Sequence, residues 1–179
     1  MTSNHLGGHF NVTHIDLGAL NFFTNELKIK SFLDIGCGPM GMVNLAKQLG
    51  LDAVGIDGDP KLNFKNNFIS HDFTSGKLEL VKKFDLAWSV EFLEHVEERY
   101  IENIISAFKA CKYAFITHAL PNKKGFHHVN CQKEEYWIQV FENFNFKFDA
   151  ELTSKIKKSS TMKREFVKQT GKMFINKID

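Results

Sequence analysis

Hydrophobic and polar positions along the chain follow two alternating rhythms. Dense apolar runs occupy 31–36 (SFLDIG), 52–57 (DAVGID), 83–90 (KFDLAWSV) and 113–120 (YAFITHAL), the first, second and last of them stopped by Gly, Asp or Pro. Runs this short and continuous predict buried β-strands. Residues 67–73 (NFISHDF) repeat the pattern more weakly, and 146–154 (FKFDAELTS) and 172–178 (KMFINKI) predict two closing strands. Elsewhere apolar residues recur every three or four positions, at 14–28, 41–50, 97–112, 132–144 and 159–171. That is the spacing of amphipathic helices, and Gly50 sits where the second should stop.

Strand and helix in alternation predict an α/β fold, a doubly wound and mostly parallel sheet with helices on both faces. The two closing strands have little between them to cross the sheet, so one antiparallel partner is expected at that edge. No repeat, low-complexity tract or linker divides the chain. One domain over 1–179 is expected, with 1–28 as an N-terminal lid and helix and 29–179 as the sheet core.

Composition narrows this picture. Hydrophobic residues make up 43% and charged residues 25%, enough of each for an ordinary core and a solvated surface. No apolar run is long enough to span a membrane, and the first residues lack a basic start and apolar centre, so no secretory signal is expected. Cys37, Cys111 and Cys131 share no CxxC spacing, which argues against a disulfide framework or structural zinc and for the reducing cytoplasm. Charge is uneven: within 155–177 seven lysines and Arg164 face one acid, Glu165, a local +7 that leaves −5 elsewhere. Such a segment is either a solvated face or a contact for phosphate-bearing substrate or nucleic acid.

The candidate chemistry begins at Gly36, Gly38 and Gly41, which follow the first strand at the spacing of a nucleotide-binding turn. Asp34 lies inside the strand end. A carboxylate there would repel a pyrophosphate and suits a ligand carrying an ammonium or other cation. The sheet also fills the chain, leaving no separate substrate domain for a dehydrogenase. Asp57, ending the second strand before Gly58, can accept from both hydroxyls of a ribose, or simply form the turn. Asp72 can accept from an adenine amino group, and Phe73 can stack on the base or pack.

Taken together, FLDIGCGPMG, VGIDGDP and FDLAWSVEFLEHV, in this order and spacing, resemble the class I S-adenosylmethionine-dependent methyltransferases. The likeness is to the small-molecule type, whose fourth strand runs into an LEHV segment. It implies a Rossmann-like, seven-stranded sheet with an antiparallel last strand, S-adenosylmethionine as methyl donor and S-adenosylhomocysteine as product. By resemblance Asp34, Gly36, Cys37, Gly38 and Gly41 belong to the turn holding the methionine part, Asp57 and Gly58 to the ribose, and Asp72 and Phe73 to the adenine. Ser89, Val90 and Glu91 fall beside the sulfonium and the incoming nucleophile. Met40 stands at the third glycine of the pattern, with Gly41 next to it.

Residues able to act on an acceptor fall in two places. A helix beginning near Glu91 would put Glu91, Glu94 and His95 on one face, where carboxylates would raise the basicity of His95. Alternatively Glu94 and Glu97 are solvent-facing acids. The second place is GFHHVN (125–130), where Phe126, His127 and His128 can form a substrate wall and Asn130 can orient a polar group or cap the next helix. His95, Glu91 and His128 are the candidates for catalysis. No metal is expected, because further ligands are not obvious. Gly7 and Gly8 allow the N-terminal segment to move, with His9, His14 and Asp16 in reach of substrate, while Trp88, Tyr136 and Trp137 read as core aromatics.

Methyl transfer to the oxygen, nitrogen or carbon of a small molecule is therefore expected. The alternatives are a methyltransferase acting on RNA or other nucleic acid through 155–177, a non-catalytic nucleoside-binding module, and a nicotinamide dehydrogenase. SVEF after the fourth strand, with no proline, argues against chemistry on a flipped base amino group. Oligomeric state is left open.

Overall fold

In the computed structural model, which describes residues 5–178, seven strands form one sheet: β1 (Ser31–Ile35), β2 (Asp52–Asp57), β3 (Phe68–Ser70), β4 (Phe84–Ser89), β5 (Cys111–Ile116), β6 (Phe146–Phe148) and β7 (Lys172–Asn176). Their order is β3-β2-β1-β4-β5-β7-β6. The first five pair in parallel, and β7 runs antiparallel between β5 and β6. The sheet is thus mostly parallel, with its last strand reversed.

Side chains alternate across the strands and feed two cores. Leu33 and Ile35 of β1 join the core under α3 (Ile101–Phe108) and α4 (Glu134–Asn143), with Phe108, Trp137 and Phe141. Phe32 faces the other way, toward α1 (Leu17–Glu26), α2 (Gly41–Gln48) and α5 (Ala150–Ser159). There Trp88 stacks on Phe115 at 5.1 Å, and Phe23 of α1 meets both rings edge-on. A short helix, α6 (Phe166–Thr170), precedes β7.

Several elements differ from the sequence expectation. The strand expected over 146–154 ends at Phe148. Asp149 then caps α5 by accepting from the Leu152 amide at 2.8 Å, and Leu152 and Ile156 pack as one helical face. No helix begins at Glu91, which has φ +52°; a 3₁₀ turn, Leu93–His95, follows, and a second at Glu98–Tyr100 leads into α3. The helix expected over 97–112 shortens to α3, since Cys111 already pairs with Phe84 in the sheet. Among the described residues no helix is long and apolar enough to cross a membrane.

Candidate active site

Strand order reverses between β1 and β4, and a cavity of about 620 Å³ opens beyond their carboxyl ends. Sites of this size accept small molecules and cofactors. Its floor is the turn after β1. Gly36 has φ +79°, and a Cβ built on it would lie 2.4 Å from the Phe92 ring, so only glycine lets Phe92 close over the turn. The Gly36 and Cys37 amides donate to the Ile56 carbonyl at 2.9 and 3.0 Å, which ties the turn to β2.

Asp57 completes that tie. Its Oδ2 accepts from the Gly38 amide and its Oδ1 from the Asp59 amide, each at 2.9 Å. Met40 takes the left-handed conformation itself (φ +66°) and buries its side chain against Cys37. The bend therefore survives without the third glycine, at a backbone cost of roughly 1–2 kcal/mol. Gly41 opens α2 and gives its amide to Thr13 Oγ1 at 3.2 Å, outside the cavity lining.

Asp34 is 4% exposed at the end of β1. Burial first, and then the charge of Asp57, hold its carboxyl well above the usual carboxylate range. Burial also pushes the Cys37 thiol far up, so it stays protonated. Two convergent acids at one end of a cavity make a place for a cation. At the end of β3, Asp72 Oδ1 accepts from the Thr74 amide and hydroxyl at 2.9 and 2.8 Å, and Oδ2 lies 3.0 Å from His5 Nε2. Partial burial would raise its carboxyl, but the Thr74 and His5 contacts outweigh that and bring it below its ordinary value. Gly58 and Phe73 line the same end.

The opposite end is built after β4 and β5. Ser89 lies behind the cavity, where its hydroxyl donates to the Ile35 carbonyl at 2.9 Å and pins β4 to β1. Val90, Glu91 and Phe92 line the cavity. Thr117, just past β5, accepts from the Glu91 amide and donates to Glu91 Oε1, both at 2.9 Å. Nothing in the sequence pattern singles out this threonine.

Glu91, Glu94 and His95 meet, but by a different route from a shared helix face. The 3₁₀ turn folds back so that the Glu94 carbonyl accepts from the Val129 and Asn130 amides, both at 3.0 Å. This brings the loop after β5 against the turn, with the His95 and His128 rings 5.0 Å apart. Glu94 is fully buried and no solvent-facing acid. Burial and then the charge of Glu91 hold its carboxyl well above the usual range, and burial likewise raises Glu91. His95 is less basic than an ordinary histidine: burial, and then His128, lower it to about 4. The expected rise from neighbouring carboxylates does not appear because desolvation dominates.

Of the adjacent pair, His128 lines the cavity, while His127 turns its ring toward His5. Asn130 is buried and does not cap α4, whose cap is Lys133. Residues 5–14 lie across the opening: His9 Nε2 is 3.0 Å from Asp59 Oδ2, Phe10 meets Phe126 edge-on at 5.6 Å, and Gly8 abuts His95. His14 also lines the cavity, its ring made less basic by burial and by Arg164. Asp16 does not reach the site. It is buried as the α1 cap, accepting from the Ala19 and Thr161 amides at 2.9 Å each and from the Ser160 hydroxyl.

The basic 155–177 segment is partly spent on structure. Lys155, Lys168 and Lys172 pair with Glu151, Glu165 and Glu134, and Lys172 is buried. Arg164 and Phe166 reach the cavity, joined by Lys123 and Lys124 from the loop after β5.

No curated protein matches the sequence. Among solved structures, a TehB-like S-adenosylmethionine-dependent methyltransferase from Corynebacterium glutamicum is similar with a TM-score of 0.63 at 16% identity, covering 89% of this chain and 88% of that one. The plantazolicin methyltransferase BpumL, in complex with a triazolic desmethylPZN analog and SAH, gives 0.58 at 19% identity over 89% and 83%. The methyltransferase domain of a bacterial Hen1 gives 0.56 at 12% identity over 89% and 95%. At these identities the likeness is one of fold. The family model described as a methyltransferase domain matches residues 15–151, from just after the segment across the cavity to the start of α5. By that match this chain belongs to the methyltransferase-domain family.

Proposed function

We propose that the protein transfers the methyl group of S-adenosylmethionine to a small-molecule acceptor held beneath residues 5–14. The observation that carries this is the make-up of one cavity, with buried Asp34 beside Asp57 at one end and imidazoles and carboxyls at the other. Close carboxylates in a half-dry site disfavour a pyrophosphate and favour the ammonium and sulfonium of this cofactor. Asp34, Gly36, Cys37 and Gly38 hold the methionine part, Asp57 and Gly58 the ribose, and Asp72 and Phe73 the adenine. Val90 and Glu91 flank the sulfonium, with Ser89 and Gly41 bracing strand and turn behind them.

The cofactor supplies a methyl group already activated on a sulfonium sulfur, and this chain's task is placement. Holding a nucleophile in line can account for roughly 7–11 kcal/mol of barrier lowering. Glu91, His95, His128 and Phe126 form the acceptor wall, and Thr117 fixes the Glu91 carboxyl through the bond to Oε1. The covered cavity supports a small acceptor, as does BpumL, a protein of similar fold in complex with a desmethylPZN analog. The lysines engaged in ion pairs weigh against nucleic acid.

Isothermal titration tests the cofactor assignment. S-adenosylhomocysteine should bind, and Asp57→Asn should weaken it about 10- to 100-fold, the worth of a hydrogen bond to a charged group. No heat with either S-adenosylmethionine or S-adenosylhomocysteine would overturn the assignment. An assay of S-adenosylhomocysteine release against small hydroxyl, amine and carboxyl acceptors, with an RNA oligonucleotide alongside, then tests acceptor class.

A further inference from the structure

Glu94, His95 and His128 converge at the acceptor end of the cavity. Each presents one donor atom, a carboxylate oxygen or a ring nitrogen, and these atoms lie within 4.8 Å of one another. We propose that these three side chains form a binding site for a divalent first-row transition-metal ion.

Four observations carry the assignment. Glu94 is fully buried, and neither of its oxygens closes a hydrogen bond of ordinary geometry, although the Glu91 carboxyl and the amides of Ala119 and of Glu94 itself lie against it. A carboxyl so placed is costly unless something coordinates it. His95 Nδ1 is likewise buried without a partner. His128 Nδ1 lies 2.8 Å from the Lys123 carbonyl. A carbonyl can only accept, so Nδ1 carries the proton and Nε2 keeps its lone pair, the state in which an imidazole ligates a metal. Finally, the two bonds from Val129 and Asn130 to the Glu94 carbonyl hold the contributing segments in fixed relation.

The donor set decides the class of ion. One carboxylate with two imidazoles suits manganese through zinc, whereas magnesium and calcium prefer oxygen donors alone. Glu91, bonded to Thr117 and lying against Glu94, offers a further oxygen. Three protein donors on one side leave the remaining positions facing the cavity. If the methyl-transfer assignment above holds, those positions favour an acceptor with a hydroxyl or carboxylate oxygen. The ion site itself does not rest on that assignment.

The test uses the full chain without a histidine tag, stripped by chelator and titrated with Mn²⁺, followed by electron paramagnetic resonance, and with Co²⁺, followed by its visible absorption. One equivalent of each should bind, undisplaced by a large excess of Mg²⁺. Glu94→Gln and His128→Ala should each weaken binding about 100-fold or more. His128 sits on a partly exposed loop, so its variant keeps the test valid if the buried Glu94 variant fails to fold. Absence of Mn²⁺ and Co²⁺ binding to the wild type, or binding retained by a folded His128→Ala, overturns the proposal. S-adenosylhomocysteine titrated in the presence of chelator separates the two assignments: cofactor binding without metal binding overturns only the ion site, and the reverse overturns only the cofactor site.

Discussion

Replacing Gly36 by alanine tests how the floor of the cavity is made. A Cβ there would stand 2.4 Å from Phe92 Cγ and Cδ2 and 2.7 Å from Phe92 Cβ, in a backbone at φ +79°. A rotamer change would move Cγ and Cδ2 but not Cβ, which the Phe92 main chain fixes, so it cannot clear the contact. Gly50 is the matched control, with φ +81° and nothing within 4 Å of its Cβ position. Both substitutions incur the left-handed cost of roughly 1–2 kcal/mol. Gly36→Ala adds an overpacking cost of about 1–3 kcal/mol. The expected losses are therefore about 1–2 kcal/mol for Gly50→Ala and about 2–5 kcal/mol for Gly36→Ala. In thermal unfolding, where 1 kcal/mol corresponds to about 2–4 °C at this chain length, Tm should fall roughly twice as far or more at Gly36. Phe92→Ala in the Gly36→Ala background should recover part of the loss, leaving the contact at Cβ. Equal Tm losses at Gly36 and Gly50, or strictly additive losses with Phe92→Ala, would refute the steric argument.

Stability should also report on three residues away from the chemistry. His118 is buried and lowered to about 4, mainly by burial, against an ordinary 6.5. The unfolded chain binds the extra proton first, so about 3 kcal/mol of stability should be lost as pH falls from 6.5 to about 4; urea unfolding of His118→Gln should show a flatter acid limb. Met40→Ala should destabilise more than Met40→Gly by about 0.5–1 kcal/mol in urea, because alanine keeps the left-handed cost that glycine avoids. Both should lie about 2–5 kcal/mol below wild type for the lost buried side chain. Asp16→Ala should cost about 2–4 kcal/mol, since it removes the α1 cap and leaves the Thr161 amide and Ser160 hydroxyl unpaired; a change under 1 kcal/mol by calorimetry would argue against this role.

Much of the sheet can be read from the chain because β1, β2, β4 and β5 are buried on both faces and show as continuous apolar runs. The 146–154 segment misleads for a local reason. Phe146 and Phe148 alternate like a strand, while the signal that ends it is one capping side chain, Asp149, followed by Leu152 and Ile156 at helical spacing. At the site, Asp34, Gly36, Gly38 and Asp57 stand out because a turn and two strand ends impose a pattern on neighbouring residues. The meeting of Glu94 with His128 does not, because it depends on main-chain bonds between segments separated in the chain by α3 and β5. The low basicity of His95 is hidden for a related reason: proximity to acids shows in the sequence, but dehydration does not.

The two amides that grip Asp57 have a consequence for any guest of the cavity. A carboxylate offers about four lone-pair sites, and the Gly38 and Asp59 amides engage one on each oxygen, leaving others outward. The side chain is thus immobilised before a visitor arrives, and the entropy of fixing its rotamer is charged to the folding of the chain instead of to association. Cutting either tether should therefore loosen capture chiefly by making the visitor do that ordering itself, even with the acid still in place.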